Sequence, residues 1–195
     1  MILGESGSGK STSMRNFLED EVGIFNVASK PLPFRKKIPK ADGATYKMIE
    51  KALSEPKLKK YVIDDSQYLM AFEMFDKAKE TGYGKFTDMA LHFKGLIDHV
   101  IKNTPVDVIV YFLHHTQKTE LGIKAKTVGK MLDDQLTVEG LFSIVLRTKA
   151  ENGKYGFITQ TDGTDTVKSP MGLFEREIDN DLKFVDEEIR KYWEL

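Results

Sequence analysis

The sequence of 195 residues predicts a single three-layer α/β domain, in which a mainly parallel sheet carries helices on both faces. Three observations predict this fold. A glycine-rich turn joins an apolar stub, residues 1–3, to a segment of helical periodicity, residues 10–18. Residues 108–113 are apolar without alternation, as in a parallel strand covered on both faces. Residues 141–148 and 155–160 flank an Asn-Gly pair, which predicts an antiparallel hairpin near the C-terminus.

The remaining elements follow in order along the chain. Residues 23–28 predict a second strand, and residues 30–40 predict a loop rich in proline and basic residues. Residues 44–53 have a helical pattern, and residues 61–65 form a short apolar strand that ends in two acids. The pattern predicts further helices at residues 67–79, 86–101 and 181–192.

Composition excludes several classes of protein. The absence of cysteine excludes a disulfide scaffold and a thiolate metal site. No signal peptide and no apolar run of membrane-spanning length is recognisable, which predicts a cytosolic protein without a membrane partner. The net charge of −1 gives no general attraction to a polyanion. Only three residues precede the glycine-rich turn, whereas strands usually run to about five or six, so we expect that N-terminal sequence is missing.

Residues 4–11 fit the pattern G-x-x-x-x-G-K-[ST] at every fixed position; we call them the glycine-rich loop. Glycines let successive backbone N–H groups surround a polyphosphate, with the following helix N-terminus aimed at the same anion. The pattern therefore predicts an ATP site. Lys10 would reach the β- and γ-phosphates, and the Ser11 hydroxyl would ligate Mg²⁺. The predicted nucleotide-binding residues are Gly4, Glu5, Ser6, Gly7, Ser8, Gly9, Lys10, Ser11 and Thr12.

Two consecutive acids, Asp64 and Asp65, end the apolar strand about fifty residues after the loop. A carboxylate in this position holds the Mg²⁺ shell, and hydrolysis also needs a carboxylate that orients water and takes its proton. We favour Asp64 for the metal and Asp65 for the water. The opposite assignment stays open.

Polar side chains follow the strand at residues 108–113, and three of them, His114, His115 and Gln117, are candidate sensors of the terminal phosphate. They would lie beside that phosphate if this strand sits between the two strands that carry the loop and the acids. A neutral imidazole or an amide can bond phosphate or water and relax when phosphate leaves. One of the two histidines is expected to be structural. Metal ligation by the pair is less favoured, because adjacent strand residues point to opposite faces.

Four segments together resemble the RecA-like ATPases of the additional-strand class of P-loop proteins, and in particular the small single-domain ATPases of the phage Sak group. They are GESGSGKS at 4–11, YVIDDSQYL at 61–69, VIVYFLHHTQ at 108–117 and TVKSPMGLF at 166–174. The likeness covers most of the chain. In RecA-like proteins the acid strand often ends in Asp-Ser, which would make Asp65 the metal-side acid. Their general base is usually a Glu at the end of the second strand, where this chain has Ser29 and Lys30.

The resemblance implies an ATPase that couples nucleotide state to single-stranded DNA in recombination, annealing or replication. Gln117 matches the residue that links the γ-phosphate to a mobile DNA-binding loop. The lysine-rich segment that follows, residues 118–130, holds four lysines and one acid, Glu120. The DNA-binding lysines would be Lys118, Lys124, Lys126 and Lys130. A solvated loop is an equal alternative for this segment.

Lys168 matches the residue that RecA-like assemblies insert toward the γ-phosphate of a neighbouring subunit, so it joins Lys10, Asp65, His115 and Gln117 as a candidate catalytic residue. The resemblance thus implies a homo-oligomer, as a ring or a filament. It also implies a single-strand-binding protein as a further partner, and the host cytoplasm if a phage encodes the chain. A surface lysine beside a turn is the alternative for Lys168.

Three other functions are alternatives to the RecA-like ATPase hypothesis. A small-molecule kinase would need arginines in a lid, yet none lies between residues 36 and 146. A GTPase would need a base-reading Asn-Lys-x-Asp signature, which is absent. An AAA+ loader or motor is suggested by the run IDDSQ, but it would need a C-terminal helical lid where this sequence predicts a hairpin.

Overall fold

One mixed sheet with helices on both faces forms the protein, in a computed structural model that describes residues 1–120 and 122–195. The strands are β1 (Ile2–Gly4), β2 (Gly23–Asn26), β3 (Lys40–Asp42), β4 (Lys60–Asp64), β5 (Ile109–Thr119), β6 (Gly122–Ala125), β7 (Leu146–Glu151), β8 (Lys154–Ile158) and β9 (Glu177–Asp179). The α-helices are α1 (Tyr46–Ser54), α2 (Gln67–Asp76), α3 (Gly84–Asn103), α4 (Lys130–Asp134) and α5 (Leu182–Trp193). Short 3₁₀ helices cover Ser11–Asn16 and Val138–Leu141.

The sheet has the order β3-β2-β4-β5-β1-β7-β8-β9, and β6 pairs with the far end of β5. The strands from β3 to β7 in this order are parallel, whereas β6, β8 and β9 run antiparallel to their neighbours. β5 lies between β4 and β1, with Phe112 opposite Ile63 and His115 opposite Gly4. Since carboxyl ends of parallel strands meet at one edge, the glycine-rich loop and the two acids are neighbours there.

Two hydrophobic clusters cover the two faces of this sheet. Phe112 and Ile63 pack into one cluster with α1, α2 and α3. Their strand neighbours Leu113 and Val62 pack into the other with the first 3₁₀ helix and α5. The alternation follows from the period of two along a strand. The predicted α/β class with a largely parallel sheet is therefore confirmed.

Several predicted elements differ in length or type. The segment 10–18 was predicted as an α-helix, but the structure has a six-residue 3₁₀ helix there. The strands β3 and β9 were not predicted, because each has only three residues and no apolar run. The hairpin of β7 and β8 is confirmed, with Asn152 and Gly153 at φ of 51° and 76° in its turn.

The prediction of an irregular loop over residues 118–130 was wrong. β5 continues to Thr119 and forms a hairpin with β6, and α4 begins at Lys130. The sequence did not indicate the extension of β5 beyond residue 113, because residues 114–119 are polar. A strand that pairs only at the margin of a sheet needs no apolar run. Leu121, within this segment, lies outside the described residues.

In the described part of the chain, no helix is both long enough and apolar enough to cross a membrane.

A cavity of about 510 Å³ is lined mainly by apolar side chains, among them Met1, Ile109 and Ile144. Those residues lie at the start of the strands, whereas the loop and the acids lie at their carboxyl ends.

Candidate functional site

The glycine-rich loop follows β1 and is closely packed against β7. At Gly9, φ is +97°, a conformation that residues with a Cβ rarely adopt. At Gly4 the constraint is space, since an added Cβ would lie 2.0 Å from Thr148 Oγ1. The Thr148 hydroxyl donates to Ser8 Oγ at 2.7 Å, which ties the loop to β7. The loop residues Gly4, Glu5, Ser6, Gly7 and Ser8 line a cavity of about 340 Å³. Ser11 and Thr12 begin the 3₁₀ helix.

Lys10 is folded back onto the loop that carries it. Its Nζ donates to the carbonyl oxygens of Gly4 and Glu5, both at 2.9 Å, and the residue is 5% exposed. Burial lowers the pKa of Lys10 to about 8, and the negative charges of Asp65 and Asp64 oppose part of this shift. The ammonium group therefore lies inside the loop, where a bound phosphate would replace its two carbonyl acceptors.

Ser11 and Asp64 join the glycine-rich loop to the acid strand. The Ser11 hydroxyl donates to Asp64 Oδ1 at 2.8 Å across a sequence separation of 53 residues. Burial raises the pKa of Asp64 to about 6, although the hydrogen bond from Ser11 lowers it. A hydroxyl and a carboxylate are the hard oxygen ligands that Mg²⁺ takes, with water and substrate phosphates completing its shell. This pair therefore fits the expected metal position, and it favours Asp64 over Asp65 as the metal-side acid.

Asp65 turns away from Ser11 and is held by two other side chains. Lys30 Nζ lies 2.7 Å from Asp65 Oδ2, and His115 Nε2 lies 3.1 Å from Oδ1. Burial raises the pKa of Asp65, but hydrogen bonds from His115 and Lys30 outweigh it and lower the pKa to about 2. A carboxylate of such low basicity orients water better than it takes a proton from it.

The two adjacent histidines have different surroundings. His115 contacts Asp65, and its ring meets the Tyr68 ring edge-on at a centroid distance of 5.4 Å. His114 is fully buried, with Nδ1 2.9 Å from Ser66 Oγ and Nε2 2.8 Å from the Lys126 carbonyl oxygen. Burial lowers the pKa of His114 to about 4, so the ring is neutral at pH 7 and donates from Nε2. Within residues 1–120 and 122–195, neither histidine belongs to a group of three or more potential metal ligands.

Gln117 does not join the acids. It lies within β5, and its Nε2 donates to Asp133 Oδ1 at 3.4 Å, at the outer end of the hairpin. Lys124 Nζ binds the same oxygen at 2.9 Å, so this lysine is partly neutralised within the chain. The lysines at 118, 126 and 130 are exposed.

Lys168 lies near the start of β1 and not beside the glycine-rich loop. Its backbone forms a bridge with Val145, and its charge acts on the amino group of Met1, at the start of β1. The glycine-rich loop follows the other end of β1. Lys168 and the glycine-rich loop therefore lie at opposite ends of the three-residue strand β1.

Two residues at the site were missed by the sequence analysis. Thr148 has no local signal, since its contact with the loop spans 140 residues. For Lys30 the sequence does hold a signal. Lys30 follows a predicted strand, and because that strand runs parallel to the acid strand, Lys30 lies at the same edge of the sheet as the acids.

Comparison with known proteins does not assign this chain to a family. No protein-family model matches the sequence, and a search of curated proteins found no match.

The buried His114 predicts a loss of stability in mild acid. Its pKa is lowered from 6.5 to about 4. Below pH 6.5 the imidazole of the unfolded chain therefore binds a proton, whereas that of the folded chain stays neutral down to about pH 4. His114 should therefore lower the free energy of unfolding by about 2 kcal/mol between pH 7 and pH 5. Denaturant unfolding of the wild type and of His114→Gln at both pH values measures this, and the variant should lose that part of the pH dependence.

Asp64 titrates in the same range with the opposite sign, because its raised pKa lets the folded chain bind the extra proton. Asp64→Asn is therefore the control, and its stability should fall more steeply with acid than that of the wild type. Equal pH slopes for wild type and His114→Gln would contradict the assignment of His114 as a neutral buried ring.

Proposed function

We propose that this chain is a RecA-like P-loop ATPase that binds MgATP at the glycine-rich loop and couples its hydrolysis to single-stranded DNA. The observation that carries this proposal is the 2.8 Å hydrogen bond from Ser11 to Asp64. It joins a loop of phosphate-binding sequence to an acid on the strand two positions away in the sheet. A strand between these two, here β5, is the arrangement of the additional-strand class that the sequence resembles.

Each charged group has a role in this proposal. Lys10 exchanges its carbonyl acceptors for phosphate oxygens, while Ser11 and Asp64 would hold Mg²⁺, which would neutralise charge on the phosphates. Asp65 accepts a hydrogen bond from the attacking water. The water oxygen bonds to the terminal phosphorus as the bond to the bridging oxygen breaks. ADP leaves, and the water proton passes to the phosphate product.

The β5–β6 hairpin is the proposed contact with single-stranded DNA. Its base is joined to the site, since the Lys126 N–H donates to the His115 carbonyl at 2.8 Å and the Lys126 carbonyl accepts from His114. A shift of His115 with the terminal phosphate would move the hairpin and its lysines. Phosphate contacts of this kind bind DNA without reading sequence.

Lys168 and the partners complete the proposal. Its exposure, and its place at the other end of β1 from the loop, support action on the nucleotide of a neighbouring subunit in a ring or filament. We propose that the protein is located in the cytoplasm, which is the host cytoplasm if a phage encodes the chain. A kinase is less well supported, because Arg15 and Arg190 are bound to groups outside the site, and Arg147, which lines the cavity at the loop, is paired with Asp165.

Lys10→Ala tests the nucleotide site. Loss of a charge-assisted contact to phosphate should weaken MgATP binding by about 10- to 100-fold and abolish hydrolysis, since such bonds contribute about 1.5–3 kcal/mol. Isothermal titration and phosphate release measure the two effects. Lys37→Ala removes an exposed lysine from the loop after β2 and serves as the control. Unchanged hydrolysis in Lys10→Ala would rule out this loop as the site.

Lys124→Ala/Lys126→Ala tests the hairpin. Removal of two phosphate contacts should weaken binding to an oligothymidylate and reduce the slope of log K against log salt by about 1.4. Fluorescence anisotropy at several salt concentrations measures both. The control is Lys94→Ala/Lys102→Ala, which removes two lysines paired with Asp98 on α3. Equal DNA affinity and salt dependence in all three proteins would contradict the role of the hairpin but leave the ATPase proposal intact.

A further inference from the structure

Lys30 is placed beside the acids by the strand next to them. β2 pairs with β4 in parallel, and its last residue, Asn26, lies opposite Asp64. Ser29 then adopts a left-handed conformation with φ of 54°, and Asn26 Nδ2 donates to the Lys30 carbonyl at 2.7 Å. This turn brings Lys30 Nζ to 2.7 Å from Asp65 Oδ2.

Lys30 is the exposed partner of its pair with Asp65. Its side chain is 56% exposed, so it can exchange Asp65 for another anion, whereas that of Asp65 is only 9% exposed. His115 holds the other oxygen of Asp65 at 3.1 Å. The Lys30 ammonium also lies over the Tyr68 ring, at 4.9 Å from its centroid, which keeps it near the site.

Charge at the site points to a role for this lysine. The positive charges of Lys10 and Lys30 both act on Asp64, so the two ammonium groups and the two acids share one electrostatic environment. A triphosphate brings several more negative charges to it, and the transition state of phosphoryl transfer needs cations close to the terminal phosphate. Lys10 is one such cation, and Lys30 is the second that this chain places at the acids.

We propose that Lys30 contacts the terminal phosphate of a nucleoside triphosphate bound in the same chain, which rests on the proposed ATPase function. Lys30 binds Asp65 in the nucleotide-free protein and moves to a terminal phosphate oxygen when the triphosphate binds. Asp65 then keeps its bond to His115 and has a free oxygen for the attacking water. Since a diphosphate lacks that phosphate, Lys30 distinguishes ATP from ADP.

Lys30→Gln tests this inference by comparing two nucleotides. Affinities for ADP and for the non-hydrolysable β,γ-imido analogue of ATP, both with Mg²⁺, are measured by titration. Affinity for the analogue should fall by about tenfold or more, affinity for ADP should stay within twofold, and hydrolysis should slow. Lys30→Arg should recover most of the analogue affinity, because it keeps the charge. Lys37→Gln, which removes an exposed lysine of the same loop, should match the wild type.

Other outcomes would overturn the inference. An equal change for both nucleotides, or no change for either, would show that Lys30 does not contact the terminal phosphate. Faster hydrolysis in Lys30→Gln would show that the pair with Asp65 only restrains that carboxylate. If the wild type binds neither nucleotide, the proposed function fails, and the inference fails with it.

Discussion

The parallel pairing of β5 with both β4 and β1 is the constraint on which the site depends. It sets Phe112 opposite Ile63 on one side and His115 opposite Gly4 on the other. Ser11 and Asp64, which lie 53 residues apart in sequence, thereby come within hydrogen-bond distance. β2 extends the same edge, because its end lies opposite Asp64. Asp64, Lys10 and Lys30 thus lie at or after the carboxyl ends of β4, β1 and β2, where side chains of neighbouring parallel strands converge.

The sequence predicts those parts of the site that local pattern encodes. The glycine-rich loop, the acid strand and the Asn-Gly turn each have a signature within ten residues, and the structure has a loop, a strand and a hairpin there. Contacts that depend on strand order have no such signature. Lys30 reaches Asp65 only because β2 neighbours β4 and because Ser29 has a positive φ. Gln117 follows an apolar strand in sequence, yet β5 continues through it and carries it to Asp133.

Because the helix after the loop is a short 3₁₀ helix, positive charge near the loop comes mainly from lysine side chains. Peptide dipoles add along a helix, so six residues give a weaker field at the loop than the α-helix that the sequence pattern predicted. Lys10 and Lys30 supply full charges instead, and both lie within the environment of Asp64. Lys10 is buried within the loop, whereas the side chain of Lys30 is half-exposed.

Backbone strain at Asp65 explains why two consecutive acids serve different partners. Asp65 has φ of 60°, a left-handed conformation that costs a residue with a Cβ about 1–3 kcal/mol. Ser66 offsets this cost, because its N–H donates to the Leu113 carbonyl at 2.9 Å and its hydroxyl lies 2.9 Å from His114. The turn sends the Asp64 carboxylate to Ser11 and the Asp65 carboxylate to Lys30 and His115. In a regular strand the two side chains would point to opposite faces of the sheet, so only one of them would reach the loop. The strained turn is therefore what lets a single strand end supply one carboxylate to Ser11 and a second to Lys30 and His115.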